Sequence, residues 1–207
     1  PLSYIVPSLR QRHLGKVKNT EHRVIGISRV LGLENNPPAP KLFCSDADQL
    51  QARTLIPDGS PVLAIGPTAN WAAKTWRVDY FAELTERFSQ PGGLMPDCRI
   101  ALFGRDDERP DAIRLIEAIP WERRIDLIGR LSLAEVYACL QRCSFYVGND
   151  SGLMHLAAAA GVPTLGLFGP SEELLYGPWG AQCASIRTPE GFNEIHPEGF
   201  DHKSSGS

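Results

Sequence analysis

The segment Asn149-Asp150-Ser151-Gly152-Leu153-Met154-His155 combines residue types that could bind an anion. It lies between an apolar run and an alanine-rich stretch, a pattern that predicts a strand, a polar turn and then a helix. Free amides and the positive helix dipole near Ser151 and Gly152 would attract a phosphate. The alternative is that Asp150 or Ser151 is only an N-cap. His155, one turn further on, could donate a hydrogen bond to a phosphate or a sugar hydroxyl, or be an ordinary core histidine.

A second polar segment, residues 66–76, follows the first apolar run of the regular pattern. It offers the hydroxyl of Thr68, the amide of Asn70 and the ammonium of Lys74. It is not a Walker loop, because G-x-x-x-x-G-K-[ST] occurs nowhere in the chain. Lys74 could neutralise a diphosphate as a point charge, and the alternative is a solvated loop lysine.

A third candidate is Glu108, which comes after the apolar run that ends at Phe103-Gly104. A carboxylate in such a loop can hold ribose hydroxyls, as the acidic residue does in dinucleotide-binding folds. The alternative is a first-turn acidic residue that interacts with a helix dipole. The surrounding charges of residues 105–109 alternate in sign, and we interpret most of them as a solvated face.

Alternating strands and helices from Val62 onward must position these side chains. Strands are predicted at 62–65, 99–103, 125–127, 144–147 and 163–168, with helices at 78–88, 111–119, 133–142 and 152–160. This alternation predicts an α/β fold, a doubly wound parallel sheet of the Rossmann-like kind over about residues 61–186. Ligands of such sheets bind beyond the carboxyl ends of the strands, so Lys74 and the loop after Val147 should share one cleft.

The first sixty residues have a different character and are predicted to lie outside the sheet's core. We expect an inter-domain segment and linker over 1–60, a donor-binding domain over 61–200 and a disordered tail over 201–207. A short helix is predicted from Thr20 to Leu31, with Thr20 as N-cap and Gly32 just after its end.

Composition limits the function classes. The 207 residues carry a formal charge of −3, which argues against a nucleic-acid partner. Five cysteines are scattered without the paired spacing of a metal site, so we expect no metal and a reduced, cytoplasmic chain. No apolar run approaches the ~20 residues of a membrane span, and peripheral contact with the inner membrane stays open.

The ordered set of motifs resembles glycosyltransferase family 9, the ADP-heptose:lipopolysaccharide heptosyltransferases and their relatives. The resemblance runs from about Val62 to Trp179. The motifs that carry it are Lys74-Thr75-Trp76 before Tyr80-Phe81-Ala82-Glu83-Leu84, Leu127-Ile128-Gly129-Arg130-Leu131-Ser132-Leu133, the Asn149–His155 segment, and Leu167-Phe168-Gly169-Pro170-Ser171. Two departures are Arg77, where family members often have proline, and Trp71, where they commonly have small or hydroxyl residues.

The resemblance implies one half of a GT-B fold, the carboxy-terminal donor-binding half. It implies inverting transfer of a heptose-like sugar from a nucleoside diphosphate, expected to be ADP-linked, to a lipopolysaccharide-type or other glycan acceptor, without a cofactor. The family's proposed base lies in an amino-terminal domain, a partner in the same or another chain, so no catalytic residue is assigned here. Donor contacts are expected from Thr68, Asn70, Lys74, Glu108, Asp150, Ser151, Gly152, Leu153 and His155.

Two other functions fit the sequence. One is a GT-B-like sugar-nucleotide epimerase, which would need acid and base carboxylates that have no clear candidates here. The other is a non-catalytic module that keeps the fold and some nucleotide affinity.

Overall fold

A six-stranded parallel sheet forms the centre of the molecule. The computed structural model describes residues 20–190, so the predicted tail over 201–207 and the basic segment before Thr20 lie outside the described residues. The strands stand in the order β3-β2-β1-β4-β5-β6, and every neighbouring pair is parallel. This is the strand order of dinucleotide-binding folds, in which the chain adds strands on one side of β1 and then, from β4 onward, on the other side. The predicted fold class is confirmed.

From β1 to β5 the strands and helices alternate as predicted. In chain order they are α1 (Arg23–Arg29), α2 (Asp46–Leu55), β1 (Val62–Gly66), a 3₁₀ turn (Ala72–Lys74), α3 (Val78–Ser89), β2 (Arg99–Leu102), a 3₁₀ turn (Asp106–Glu108), α4 (Arg109–Ala118), β3 (Arg124–Asp126), α5 (Leu133–Leu140), β4 (Phe145–Asn149), α6 (Gly152–Ala159), β5 (Thr164–Phe168), α7 (Glu173–Tyr176) and β6 (Cys183–Arg187). The predicted capping box at the start of α5 is present, with Ser132 and Glu135 bonding each other's backbone amides.

Helices cover both faces of the sheet. On one face α3 and α4 supply Phe81, Leu115 and Ile116 to a buried apolar cluster. On the other face α5 and α6 contribute to a second cluster, in which Met154 and Ala157 are completely buried. The short side chains of α6 let it pack closely on β4 and β5. Two covered faces explain why the central strand β1 is buried at every position.

The first helix is shorter than predicted at both ends, because it begins at Arg23 and ends at Arg29 with Val30 as C-cap. His22, not Thr20, is the N-cap of α1, because its Nδ1 accepts a 3.1 Å hydrogen bond from the amide of Val24. Gly32 has a φ of 71°, but it lies two residues beyond the C-cap and does not directly follow the helix as predicted.

The prediction that the first sixty residues lie outside the core is wrong for α2. This helix packs against α5, and Ala52 and Ile56 are 0% and 1% exposed within the same cluster as the sheet residues. Its sequence is mostly polar and gives only a weak helical stripe, so its burial depends on the surface that α5 provides.

We predict that Ile56→Ala lowers the free energy of unfolding by about 2–4 kcal/mol, because it empties a fully enclosed site. The matched control is Leu50→Ala on the same segment, where the side chain is 65% exposed. Urea unfolding measures both. Equal effects in the two variants would contradict the assignment of α2 to the core.

The edge strand β6 was not predicted. It pairs with β5 over five positions, but every residue of it is half-buried or exposed, and its sequence has no sustained apolar run. None of the helices within residues 20–190 is both long and apolar enough to span a bilayer.

Candidate functional site

A cavity of about 480 Å³ opens at the carboxyl ends of the strands, on the face covered by α5 and α6. Four strand-exit segments surround it, those after β1, β2, β3 and β4. Six of the nine predicted donor-binding residues line it: Thr68, Asn70, Glu108, Ser151, Gly152 and Leu153. An apolar wall completes it, formed by Leu131, Leu133, Val136 and Leu156. The cavity therefore has a polar side over β1 and β2 and an apolar side over β3 and α5.

Asn149 connects the end of β4 to the loop after β1 by hydrogen bonds, at the point where the strand order reverses. It is completely buried at the end of β4. Its Oδ1 accepts from the amide of Trp76 at 2.9 Å, and its Nδ2 donates to the carbonyl of Pro67 at 2.8 Å. Both hydrogen bonds reach the loop after β1, so this amide fixes the loop that carries Lys74 against β4.

Lys74 forms an ion pair with Asp150 beside this junction. Its Nζ lies 2.6 Å from Asp150 Oδ2, and the two side chains are 28% and 7% exposed. The prediction that Lys74 and the loop after Val147 share one cleft is confirmed. Lys74 is not a solvated loop lysine, but its charge is already matched by Asp150, and neither residue is part of the cavity lining itself.

Glu108 is buried at the polar side of the cavity. Its Oε2 accepts from the hydroxyl of Thr68 at 3.0 Å and from the backbone amide of Arg105 at 2.8 Å. Its Oε1 makes no hydrogen bond within residues 20–190, and it lies 3.7 Å from Arg105 Nη2. One oxygen thus fixes the carboxylate, while the other is available to a ligand.

The start of α6 is not capped by a side chain. Ser151 is the N-cap residue, yet its hydroxyl makes no cap hydrogen bond. The alternative, in which Asp150 or Ser151 serves only as a conventional cap, is wrong, because the Asp150 carboxylate is turned to Lys74 instead. The first amides of α6 therefore have no side-chain acceptor, and Ser151, Gly152 and Leu153 line the cavity, an arrangement that suits an anion at the helix end.

Tyr146 lies beneath this helix end. Its side chain is 0% exposed and leans toward the strand ends, where its hydroxyl lies against Gly66 and Gly148. Burial raises the pKa of Tyr146, and the neighbouring Ser151 hydroxyl opposes that shift. Within residues 20–190, neither hydroxyl has a hydrogen-bond partner of ordinary geometry. The Tyr146 hydroxyl thus fills the space between Gly66 and Gly148, next to the hydroxyl of Ser151.

His155 lines a different cavity from the other candidates. This neighbouring pocket, of about 270 Å³, also contains His22, Tyr176 and Trp179. Desolvation lowers the pKa of His155, and the nearby Asp150 carboxylate opposes this. The neutral form of His155 is therefore favoured, and its pocket is separate from the cavity that the apolar wall lines.

Two groups of lining residues were not predicted. Arg105 lies in a segment whose alternating charges predict a solvated face, yet it lines the cavity. The apolar wall was not anticipated either, since Leu131 and Leu133 occur in a loop and in the first turn of a helix. The only available signal was position, because both segments follow strands at the carboxyl edge.

The cysteines do not form a site. All five are free, and within residues 20–190 no group of three or more His, Cys, Asp or Glu side chains is arranged to hold a metal. Burial raises the pKa of Cys139 to about 11, so this thiol stays protonated.

The strand order and the switch-point cavity define a Rossmann-like domain of the kind found in GT-B proteins. A family model for glycosyltransferase family 9 (heptosyltransferase) matches residues 19–196. The chain belongs to this family.

Curated relatives of this chain are heptosyltransferases. It is 31% identical over 147 residues to lipooligosaccharide heptosyltransferase 2 of Haemophilus influenzae, covering 69% of this chain and 41% of that protein. It is 36% identical over 122 residues to lipopolysaccharide heptosyltransferase 1 of Pseudomonas aeruginosa, covering 59% and 32%. The chain thus spans less than half the length of these relatives.

Solved structures share the fold. ADP-heptose lps heptosyltransferase II of E. coli matches with a TM-score of 0.66 and 24% identity, covering 81% of this chain and 52% of that one. A family 9 glycosyl transferase from Veillonella parvula matches with a TM-score of 0.73 and 22% identity, covering 83% and 50%. This chain is therefore similar to about half of each.

Proposed function

We propose that this chain is the donor-binding half of a heptosyltransferase and binds a nucleoside diphosphate sugar in the cavity at the strand ends. The observation that carries the proposal is the agreement between that cavity and the family's donor motifs. In a chain of family 9, six predicted donor contacts line one cavity beside an uncapped helix end.

The positions of the α6 helix end, Glu108 and the apolar wall relative to the strands suggest the orientation of the bound donor. The helix end of α6 stands over β4, Glu108 follows β2, and the apolar wall stands over β3. A diphosphate at the α6 amides, a ribose at Glu108 and a base against the leucines would follow the strand order β4-β1-β2-β3. Adjacent strands are about 4.8 Å apart, so this row has the length that a nucleoside diphosphate needs.

The transfer itself is proposed for the whole protein, in which an amino-terminal domain completes the cleft. In this proposal the sugar is a heptose, the nucleotide is ADP, and the acceptor is a lipopolysaccharide-core glycan. A general base must reach the acceptor hydroxyl directly or through one water. We assign no such residue within this chain, and expect the base to come from the amino-terminal domain.

Isothermal titration of this chain with ADP, UDP and GDP tests the proposal. We expect ADP to bind at micromolar to low millimolar concentration and at least about tenfold more tightly than UDP. Equal affinity for the three nucleotides, or no binding of any, would overturn the donor assignment.

A further inference from the structure

Arg105 lies at the mouth of the cavity and contributes the single cationic side chain of its lining within residues 20–190. The acidic lining residues are Asp106 and Glu108. Because Lys74 lies outside this lining and is paired with Asp150, Arg105 is the cation to which a ligand in the cavity is most directly exposed.

Two contacts hold the Arg105 guanidinium in place. Nε and Nη2 donate to the two oxygens of Asp107, each at 2.9 Å, in a bidentate pair. Nη1 donates to Asn70 Oδ1 at 2.8 Å. The side chain thus bridges the loop after β1 and the loop after β2, and its plane is fixed although it is 57% exposed.

This arrangement leaves hydrogen-bond donors unused beside an unused acceptor. A guanidinium has five N–H groups, and Asp107 and Asn70 take three of them. One N–H remains on each terminal nitrogen, and Nη2 lies 3.7 Å from Glu108 Oε1, the free oxygen of that carboxylate. A donor and an acceptor at this separation match adjacent hydroxyls, one of which accepts while the other donates.

We propose that Arg105 is a specificity-determining residue that recognises the ribose diol of the nucleotide together with Glu108. One ribose hydroxyl donates to Glu108 Oε1, and the neighbouring hydroxyl accepts from Arg105 Nη2. This inference rests on the proposed function, because it requires a nucleotide in the cavity. A phosphate on the ribose would also meet Arg105, but the Glu108 carboxylate repels it, so the diol is the favoured group.

The experiment measures the binding of ADP, 2′-deoxy-ADP and 3′-deoxy-ADP to the wild-type chain and to Arg105→Ala. We expect the wild type to bind ADP about tenfold more tightly than at least one deoxy analogue, the size of a charge-assisted hydrogen bond. Arg105→Ala should bind ADP about tenfold more weakly and lose its preference over that analogue. Arg87→Ala is the matched control, since that arginine is 72% exposed and pairs with Glu83 far from the cavity.

The outcomes distinguish a failure of the proposed function from a failure of the ribose-diol assignment. If the wild type binds none of the three ligands, the proposed function fails. Suppose instead that the wild type binds ADP and Arg105→Ala weakens the binding of all three ligands equally. Arg105 would then only hold the loops after β1 and β2 in contact, and the diol assignment would be overturned. Unchanged ADP affinity in Arg105→Ala overturns it as well.

Discussion

Gly66→Ala should destabilise the fold by about 3 kcal/mol, the upper range for inserting a methyl group into a packed core. A Cβ at this position would overlap the hydroxyl of Tyr146, whose ring is 0% exposed and has no space to move into. The three nearest atoms that this Cβ would meet all belong to the Tyr146 side chain, and the hydroxyl oxygen is the nearest of them. Most of the cost therefore comes from the hydroxyl, and the smaller part due to the ring carbon Cζ at 3.1 Å should remain without it.

The double variant Gly66→Ala/Tyr146→Phe tests that cause. Tyr146→Phe alone should change the free energy of unfolding by less than about 1 kcal/mol, because the buried hydroxyl has no well-formed hydrogen bond to lose. Added to Gly66→Ala, it should restore most of the lost stability. Urea unfolding of the four proteins gives the coupling energy.

Gly148→Ala is the matched control for this cycle. Its Cβ would also meet the Tyr146 hydroxyl, but in addition it would lie 2.8 Å from the backbone carbonyl oxygen of Gly66. A backbone atom does not move aside when the tyrosine is changed, so Tyr146→Phe should not rescue Gly148→Ala. Rescue of both glycine variants, or of neither, would contradict the assignment of the cost of Gly66→Ala to the Tyr146 hydroxyl.

The parallel sheet could be predicted from the sequence because its signals are local and repeated. Runs such as Val62–Gly66 are continuously apolar, as strands covered on both faces require. The helices between them show apolar residues at three- and four-residue spacing, as in Val78–Ser89. From alternation alone, the carboxyl edge of the sheet follows as the place for a ligand.

The elements that were missed owe their burial to distant partners. Helix α2 has a mostly polar sequence, and Ala52 becomes core only because α5 docks on it. Strand β6 is an edge strand whose residues alternate between half-buried and exposed. The residues that bury α2 and that pair with β6 lie elsewhere in the chain, so the local sequence of neither element predicts its structure.

The site was predictable in position but not in its pairings. That Lys74 and Asp150 come to one edge follows from the parallel strands, yet the 2.6 Å bond between residues 76 positions apart does not. Arg105 shows the same limit. Its charged neighbours are typical of a solvated surface, and only the contacts to Asp107 and Asn70 show that its guanidinium is fixed over the cavity.

Lys74→Ala should weaken ADP binding by about a hundredfold, the upper range for one charge-assisted contact. Two effects add. The ammonium that would balance the diphosphate is lost, and the Asp150 carboxylate, 7% exposed, is left unpaired beside the anion. The same change should lower the free energy of unfolding by about 1–3 kcal/mol, because a buried charged group loses its partner.

The variant Lys74→Ala/Asp150→Asn separates these two effects. Asparagine keeps the shape of the side chain and removes its charge, so the double variant should bind ADP about tenfold more tightly than Lys74→Ala alone, yet more weakly than the wild type. If affinity returned fully, Lys74 would act only by neutralising Asp150. Lys41→Ala, which removes an exposed loop lysine, is the matched control and should leave binding unchanged. Calorimetry with ADP measures all four proteins, and wild-type affinity in Lys74→Ala would remove Lys74 from the donor site.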